Sequence, residues 1–290
     1  MYIYVDSLMK NNDKRLVVKA NKLIEASYYL TLNEQRLILL AITKVRRDSA
    51  LYTQDEFVIS AEDWVSTFQV ESKNAYRDLQ AISRQLFERY ITIENTRGNP
   101  LMTRWISSIE YLAKDGKLVI TFAQKILPFL TVLEKEFTKY RLEFVSKMTS
   151  IYAVRLYELL VQWNSTGTRE IELDWLKKTF QITETYAEIR NFKARVLEPA
   201  ITQINTHSDL TVSYTQRKTG RVVTHFTFAF SPKAAVETKP RARKKPPQGE
   251  TIHGVLKADI ERLARAGESY EQAAARIKQQ ELIMVNHPSN

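Results

Sequence analysis

The sequence predicts an α+β protein in which one unit is used twice in tandem ahead of a C-terminal tail. Three observations predict it. Apolar spacing passes from helical to period two in the same order in both halves; the segment Asp63 to Val70 returns as Asp174 to Ile182; and the composition changes character beyond Lys233.

The first unit opens with a helix over Leu32 to Val45, where Leu32, Arg36, Leu39, Leu40 and Thr43 follow a 3.6-residue period and Leu37, Ile38, Ala41 and Ile42 widen the apolar face. Thr31 and Glu34 form a capping-box pattern at its start. A short strand, Phe57 to Ile59, leads through Ser60 as N-cap into a helix over Ala61 to Phe68. After a polar break at Glu71 and Ser72 comes a longer helix, Asn74 to Arg89, with Tyr76, Leu79, Ile82, Leu86 and Phe87 on its buried side. The period then changes to two. Tyr90 to Glu94, Arg104 to Leu112 and Lys117 to Phe122 read as strands, the last two joined by the turn chemistry of Lys114-Asp115-Gly116.

The second unit repeats this order. A helix, Ser150 to Trp163, precedes a strand at Glu170 to Leu173, and Asp174-Trp175-Leu176-Lys177-Lys178-Thr179-Phe180-Gln181-Ile182 answers Asp63-Trp64-Val65-Ser66-Thr67-Phe68-Gln69-Val70 with one residue inserted. Trp64, Phe68, Trp175 and Phe180 are expected in the core. A long helix carrying Tyr186, Ile189, Phe192, Val196 and Ile201 follows, with Pro199 expected to kink it. Two alternating strands, Leu210 to Gln216 and Val222 to Phe230, flank the basic turn Arg217 to Arg221. Helix, strand, short helix, turn, long helix and hairpin is the winged-helix order, so two tandem winged-helix domains are expected. The boundaries read as 1–136 and 137–233, followed by a flexible C-terminal tail, 234–290. In that tail Lys239 to Pro247 reads as a basic linker, and a terminal amphipathic helix is expected from Ile252 to Val285 without a core of its own.

The 290 residues carry 43 Lys and Arg against 33 Asp and Glu, a formal charge of +10 that favours a polyanionic partner. The excess is concentrated between Phe137 and Lys233, with 14 basic and 9 acidic residues against 19 and 17 up to Glu136. No segment approaches the roughly 18 apolar residues of a membrane span, so nucleic acid is the expected partner. The chain lacks cysteine, which excludes disulfides, thiolate zinc sites and thiol nucleophiles. With an N-terminus unlike a secretory signal, it is expected in the cytoplasm.

In the long helix of the second unit, a wheel centred on Ile189, Phe192, Val196 and Ala200 leaves Ala187, Glu188, Arg190, Asn191, Ala194 and Arg195 outside or flanking. Arg and Asn read guanine and adenine edges in bidentate fashion, and small alanines permit close approach to a groove floor. Arg190, Asn191 and Arg195 are therefore candidate base contacts, and Lys193, nearer the core edge, a candidate phosphate contact. Arg217, Lys218 and Arg221 place three charges on the hairpin expected to lie along the DNA backbone. Lys177, Lys178 and Thr185 complete the set in this unit. In the first unit the matching helix offers Lys73, Asn74 and Arg77, balanced by Glu71, Asp78 and Glu88, which suits a secondary DNA contact or a protein interface. An ordinary solvated helix face carries the same residue types, so these assignments stand beside that simpler reading.

Signals for catalysis are missing. No phosphate-binding G-x-x-x-x-G-K-[ST] loop occurs, and His207, His225, His253 and His287 show neither metal-ligand spacing nor a His-x-His pair. No enzyme activity, metal or cofactor is expected.

Three segments taken together resemble the initiator replication proteins of iteron-containing, theta-replicating plasmids: Leu32-Asn33-Glu34-Gln35-Arg36-Leu37-Ile38-Leu39-Leu40-Ala41-Ile42, Tyr152-Ala153-Val154-Arg155-Leu156-Tyr157-Glu158-Leu159-Leu160 and Phe192-Lys193-Ala194-Arg195-Val196-Leu197-Glu198-Pro199-Ala200-Ile201. They follow the family's order and spacing over about Leu23 to Pro232. The resemblance implies that the second winged helix makes the main base contacts in each iteron, while the first contacts DNA secondarily and mediates dimerisation. It implies monomers that start replication, in equilibrium with dimers that repress their own gene at an operator inverted repeat. It further implies opening of a neighbouring A+T-rich tract and recruitment of the host initiator and replicative helicase. Carried over by position, Lys193 and Arg195 are DNA contacts, and Ala194 stands where the family often has a further basic residue. A transcriptional regulator with the same two domains is the alternative, favoured by a lone inverted repeat at a promoter over tandem repeats.

Overall fold

The computed structural model describes residues 15–45, 54–71, 73–94, 98–131 and 136–233, and beyond them 251–253, 255–257, 260, 263 and 268–286. The described residues fall into two compact units divided after Lys233.

In the first unit β1 (Leu16–Ala20) leads through α1 (Asn21–Glu25) and β2 (Ser27–Tyr28) to α2 (Leu32–Ile42). The capping box expected at Thr31 forms: its hydroxyl accepts the Glu34 N–H at 3.3 Å, and its own N–H donates to the Glu34 carboxylate at 2.6 Å. β3 (Phe57–Ser60) enters α3 (Ala61–Phe68) through Ser60, whose hydroxyl accepts the Asp63 N–H at 3.0 Å. α4 (Ala75–Phe87) buries Leu79, Ile82 and Leu86. After β4 (Tyr90–Glu94) the strand expected from Arg104 to Leu112 is two strands, β5 (Pro100–Arg104) and β6 (Ile106–Leu112), and β7 (Lys117–Phe122) follows. The break falls at Trp105, which is fully buried and meets the Tyr28 ring edge-on at 4.9 Å. Anchoring that indole turns the chain from one sheet into another: β5 pairs with β4 in the sheet β2-β4-β5, whereas β6 pairs with β7 in the sheet β3-β7-β6.

β8 (Phe137–Arg141) returns to pair antiparallel with β1, Val17 opposite Tyr140. α5 (Glu143–Ser146) and α6 (Ile151–Val161) then lead into the second winged helix. It consists of β9 (Thr168–Glu172), α7 (Leu173–Thr179), α8 (Ile189–Phe192), α9 (Glu198–His207), β10 (Leu210–Thr219) and β11 (Val222–Pro232). Its sheet order, β10-β11-β9, reproduces β6-β7-β3. The internal repeat extends to the backbone, since Gln69 and Gln181 both take left-handed conformations, φ 53° and 58°, just past their short helices. Their tryptophans differ: Trp64 is buried, but Trp175 is half-buried, with the Arg169 guanidinium 5.5 Å from its ring.

Both winged helices share one continuous core, in which Leu37, Trp64, Tyr157, Phe192, Phe226 and Phe228 belong to the same cluster. Each fully buried aromatic contributes roughly 1.5–3 kcal/mol of transfer free energy, so the two domains stabilise each other through shared burial. Gly167 closes the turn before β9 at φ +67°, where an added Cβ would meet the Phe230 carbonyl at 3.0 Å.

The second unit corrects the expected tail. Residues Ile252 onward do not form one helix: β12 (Thr251–Ile252) and β13 (Val255–Leu256) make a hairpin, Lys257, Ile260 and Leu263 are helical, and α10 (Tyr270–Asn286) follows. A small core also exists there, made of Val255, Ile260, Ala273, Ala274 and Ile277. Ser269 and Gln272 cap α10 reciprocally, at 3.1 and 3.3 Å. The basic stretch Lys239 to Pro247 lies outside the described residues.

Candidate nucleic-acid interface

The long helix of the second domain is neither one regular helix nor one broken at Pro199. Lys193–Leu197 form a π turn between α8 and α9, with the Glu198 N–H reaching back five residues to the Lys193 carbonyl. Pro199 explains it: lacking an N–H, it offers the Arg195 carbonyl no α-helical partner, and its ring crowds that carbonyl, so the helix widens ahead of the proline. The widened turn keeps Phe192, Val196, Leu197 and Ala200 buried while Arg190, Asn191, Ala194 and Arg195 remain exposed.

The entry to this helix is held under strain. Tyr186 takes φ 61°, unusual for a bulky side chain, and its carbonyl accepts the Lys177 ammonium at 3.0 Å. Lys177 is only 8% exposed; it borders the cleft between helix and hairpin, and its ammonium orients the loop that starts the helix. No side chain caps α8, which leaves the N–H groups of its first turn without a side-chain acceptor.

Helix and hairpin enclose a cleft of about 780 Å³. Arg190 and Lys193 line it from the helix, Gln216, Lys218 and Arg221 from the hairpin. The Lys193 ammonium lies 3.5 Å from Gln216 Oε1 and 5.8 Å from the centre of the Tyr214 ring. Glu172, Asp174 and Glu198 also border the cleft. Glu198 accepts the Tyr214 hydroxyl at 3.3 Å, and burial followed by this carboxylate pushes the phenol pKa up. The cleft thus offers flexible cations beside an exposed Arg/Asn helix face, an arrangement suited to a phosphate backbone next to base edges.

The hairpin is longer than its sequence predicts. Pairing continues to Thr219 opposite Val222, so the turn is Gly220-Arg221 alone, with Gly220 at φ +62°. A register shift between Arg217 and Lys218 sets Lys218 opposite Val223. Arg217 is therefore not at the tip. Its guanidinium donates to Glu170 at 2.8 and 3.3 Å, and Thr227 donates to the same carboxylate at 3.1 Å. The hydrogen bonds from Arg217 lead the causes that hold the Glu170 carboxyl below the usual glutamate range.

The remaining expected residues are placed elsewhere. Asn191 and Arg195 are exposed on the helix outside the cleft lining, Asn191 donating to Glu188 at 3.3 Å. Lys178 borders a different cleft of about 410 Å³, together with Lys22, Thr92 and Trp175. Thr185 is exposed in the loop after α7. Lys73, Asn74 and Arg77 are exposed at the start of α4, the first domain's equivalent helix. Gln216 is a cleft residue that the sequence reading missed. Its signal was the period-two spacing from Val212 and Tyr214, which puts it on the helix-facing side of β10.

Among the described residues no group of three metal-ligating side chains exists, and no helix is long and apolar enough to cross a membrane.

Comparison with known proteins matches residues 16–161 to the first winged-helix domain of the initiator replication proteins and residues 172–230 to the second winged-helix domain of the initiator Rep proteins. A replication initiation protein of Escherichia coli is 30% identical over 204 residues, 67% of this chain and 63% of that relative's length. An Escherichia coli protein described as an uncharacterized 27.6 kDa protein is 25% identical over 222 residues, 72% of this chain and 93% of its own. The crystal structure of Pi initiator protein in complex with iteron DNA has the same fold, with a TM-score of 0.67 at 23% identity over 77% of this chain and 99% of that one. With its two winged helices, matched in order by both domains, the chain belongs to the initiator replication protein family.

Proposed function

We propose that the chain is a sequence-specific, duplex-DNA-binding initiator of plasmid replication that recognises tandem repeats at an origin. The observation that carries this reading is the second winged helix, where the exposed Arg190, Asn191 and Arg195 of one helix adjoin a cleft lined by Lys193, Lys218 and Arg221. Base edges are read by the first group and phosphates positioned by the second. Family membership supports it, as do the Escherichia coli relative's description as a replication initiation protein and the capture of Pi initiator protein with iteron DNA. The segment 137–233 makes the principal contact. The segment 1–136 adds a weaker one through Lys73, Asn74 and Arg77 and provides a dimer interface.

Initiation on this reading needs no covalent step by the protein. Several copies bound in phase bend the origin and lower the cost of opening an adjacent A+T-rich tract, where the host initiator and helicase are recruited. Dimers repress the chain's own gene, which sets copy number. The test is a footprint of the full chain on the DNA flanking its own gene. Protection of tandem repeats with a steep salt dependence supports the proposal; protection of a lone inverted repeat at a promoter moves the reading to a transcriptional regulator.

A further inference from the structure

α6 packs against elements of both winged helices, and one of its faces is polar although buried. Arg155 and Glu158 lie along it at helical spacing, and the half-buried Gln162 continues the line at the C-cap. Glu158, fully buried, meets the fully buried Lys19 ammonium and the Tyr140 hydroxyl, and Gln162 donates to the Asn21 carbonyl at 3.3 Å. Arg155, 2% exposed, does more: its Nη2 donates to the Ala26 carbonyl at 2.9 Å and the Thr179 carbonyl at 3.1 Å. Its guanidinium also lies 3.7 Å from the centre of the Tyr28 ring.

Ala26 and Thr179 belong to different domains. Ala26 precedes β2 in the first winged helix; Thr179 ends α7, the helix paired with α8 and α9 in the second. The adjoining bonds also cross between the domains, Ser27 Oγ donating to the Lys178 carbonyl at 2.9 Å and Gln181 Nε2 to Ser27 Oγ at 2.7 Å. At the end of α7 the Thr179 carbonyl is thus held by Arg155 of α6, and the Lys178 carbonyl, besides its local backbone donors, by Ser27 of the first domain. A planar guanidinium fixes two acceptors and stacks on a ring at once, which an ammonium does not do. Arg155 is buried in this seam while the Ser27 and Gln181 bonds lie at its exposed edge, and a buried polar group of this kind often adds little net stability over an apolar one.

We propose that Arg155 is a positioning residue that fixes the spacing and phase of the two winged helices, so that the protein rejects duplexes in which the two contact regions are displaced from each other. This rests on the duplex-binding reading above. Each inserted base pair moves one region by about 3.4 Å along the axis and about 35° around it, a change that a latched pair of domains cannot follow.

The test uses the full chain and the duplex it selects from a random-sequence pool, with and without two base pairs inserted between the footprints of the two domains. Wild-type protein should lose about tenfold or more in affinity on the insertion, the scale of one lost specific contact. Arg155→Ala should bind the intact duplex more weakly and lose less than about threefold on the insertion, with Arg155→Lys intermediate. Because the chain has no cysteine, spin labels at Glu110→Cys and Ser231→Cys, both exposed, read the domain arrangement without DNA. Their distance distribution should be narrow in wild type and broad in Arg155→Ala. If Arg155→Ala does not fold, the double variant Ser27→Ala with Gln181→Ala replaces it, with the same expectations. An unchanged narrow distribution, or a full insertion penalty in the latch variant, overturns the proposal. Wild-type protein that selects no duplex refutes the functional reading instead, and the label distances still decide whether the latch exists.

Discussion

Replacing Lys193, Lys218 and Arg221 together by alanine removes three of the cleft cations while leaving the Arg190, Asn191 and Arg195 face in place. If each meets one phosphate, the slope of log affinity against log salt becomes shallower by about 2.7, at roughly 0.9 per phosphate on duplex DNA. Over a fourfold salt range, from about 50 to 200 mM, that difference amounts to a factor of about 40 in how steeply wild type and variant lose affinity. Fluorescence anisotropy at four salt concentrations measures it, on the selected duplex and on one of unrelated sequence. Phosphate contacts carry no sequence information, so both probes should weaken alike. All three side chains are exposed or half-buried, and the thermal midpoint should stay put. A slope that changes by less than about one, roughly a single phosphate contact, would refute the assignment of the cleft to the DNA backbone.

Three further outcomes follow from the fold. Glu158→Gln leaves the fully buried Lys19 ammonium beside a neutral amide, and urea titration should show a loss of about 3–5 kcal/mol, the cost of breaking a buried pair from one side; a loss below about 1 kcal/mol would show that water reaches Lys19. Gly167→Ala forces a side chain into a left-handed turn against the Phe230 carbonyl and should cost about 1–3 kcal/mol by the same measurement. The Glu170 carboxyl, held below its ordinary range first by hydrogen bonds from Arg217, contributes stability that is present above the unfolded-state pKa and lost as pH falls through the folded one. A carboxyl-resolved NMR titration should give a depressed midpoint that returns to the ordinary range in Arg217→Ala; equal midpoints would contradict the ion pair.

Local patterns were legible in the sequence, and distant partners were not. The repeated Asp-Trp…Thr-Phe-Gln unit, the Thr31 capping box and the Ser60 cap depend on residues within a few positions of one another, and each has its expected structure. β1 and β8 pair across more than a hundred residues, and nothing in Leu16–Ala20 alone announces that partner. The same applies to side chains. Lys177 looks like any surface lysine of a short helix until the strained Tyr186 carbonyl is brought to it, and Arg217 looks free until Glu170 arrives from β9. The π turn combines both cases: Pro199 signalled a disturbance, but the buried Val196 and Leu197 let the helix absorb it by widening rather than by breaking. The hairpin in the tail escaped because two strands of two residues carry too little alternation to register as a pattern.

The central claim is that the exposed face of the second domain's long helix reads DNA sequence. It is tested most directly by selecting bound duplexes from a random pool with wild-type full chain and with the triple variant Arg190→Ala, Asn191→Ala and Arg195→Ala, all at solvent-exposed positions. Wild type should recover one repeated motif that also occurs in tandem beside its own gene, and the variant, with an unchanged melting temperature, should recover none. The same motif from both proteins would contradict the account.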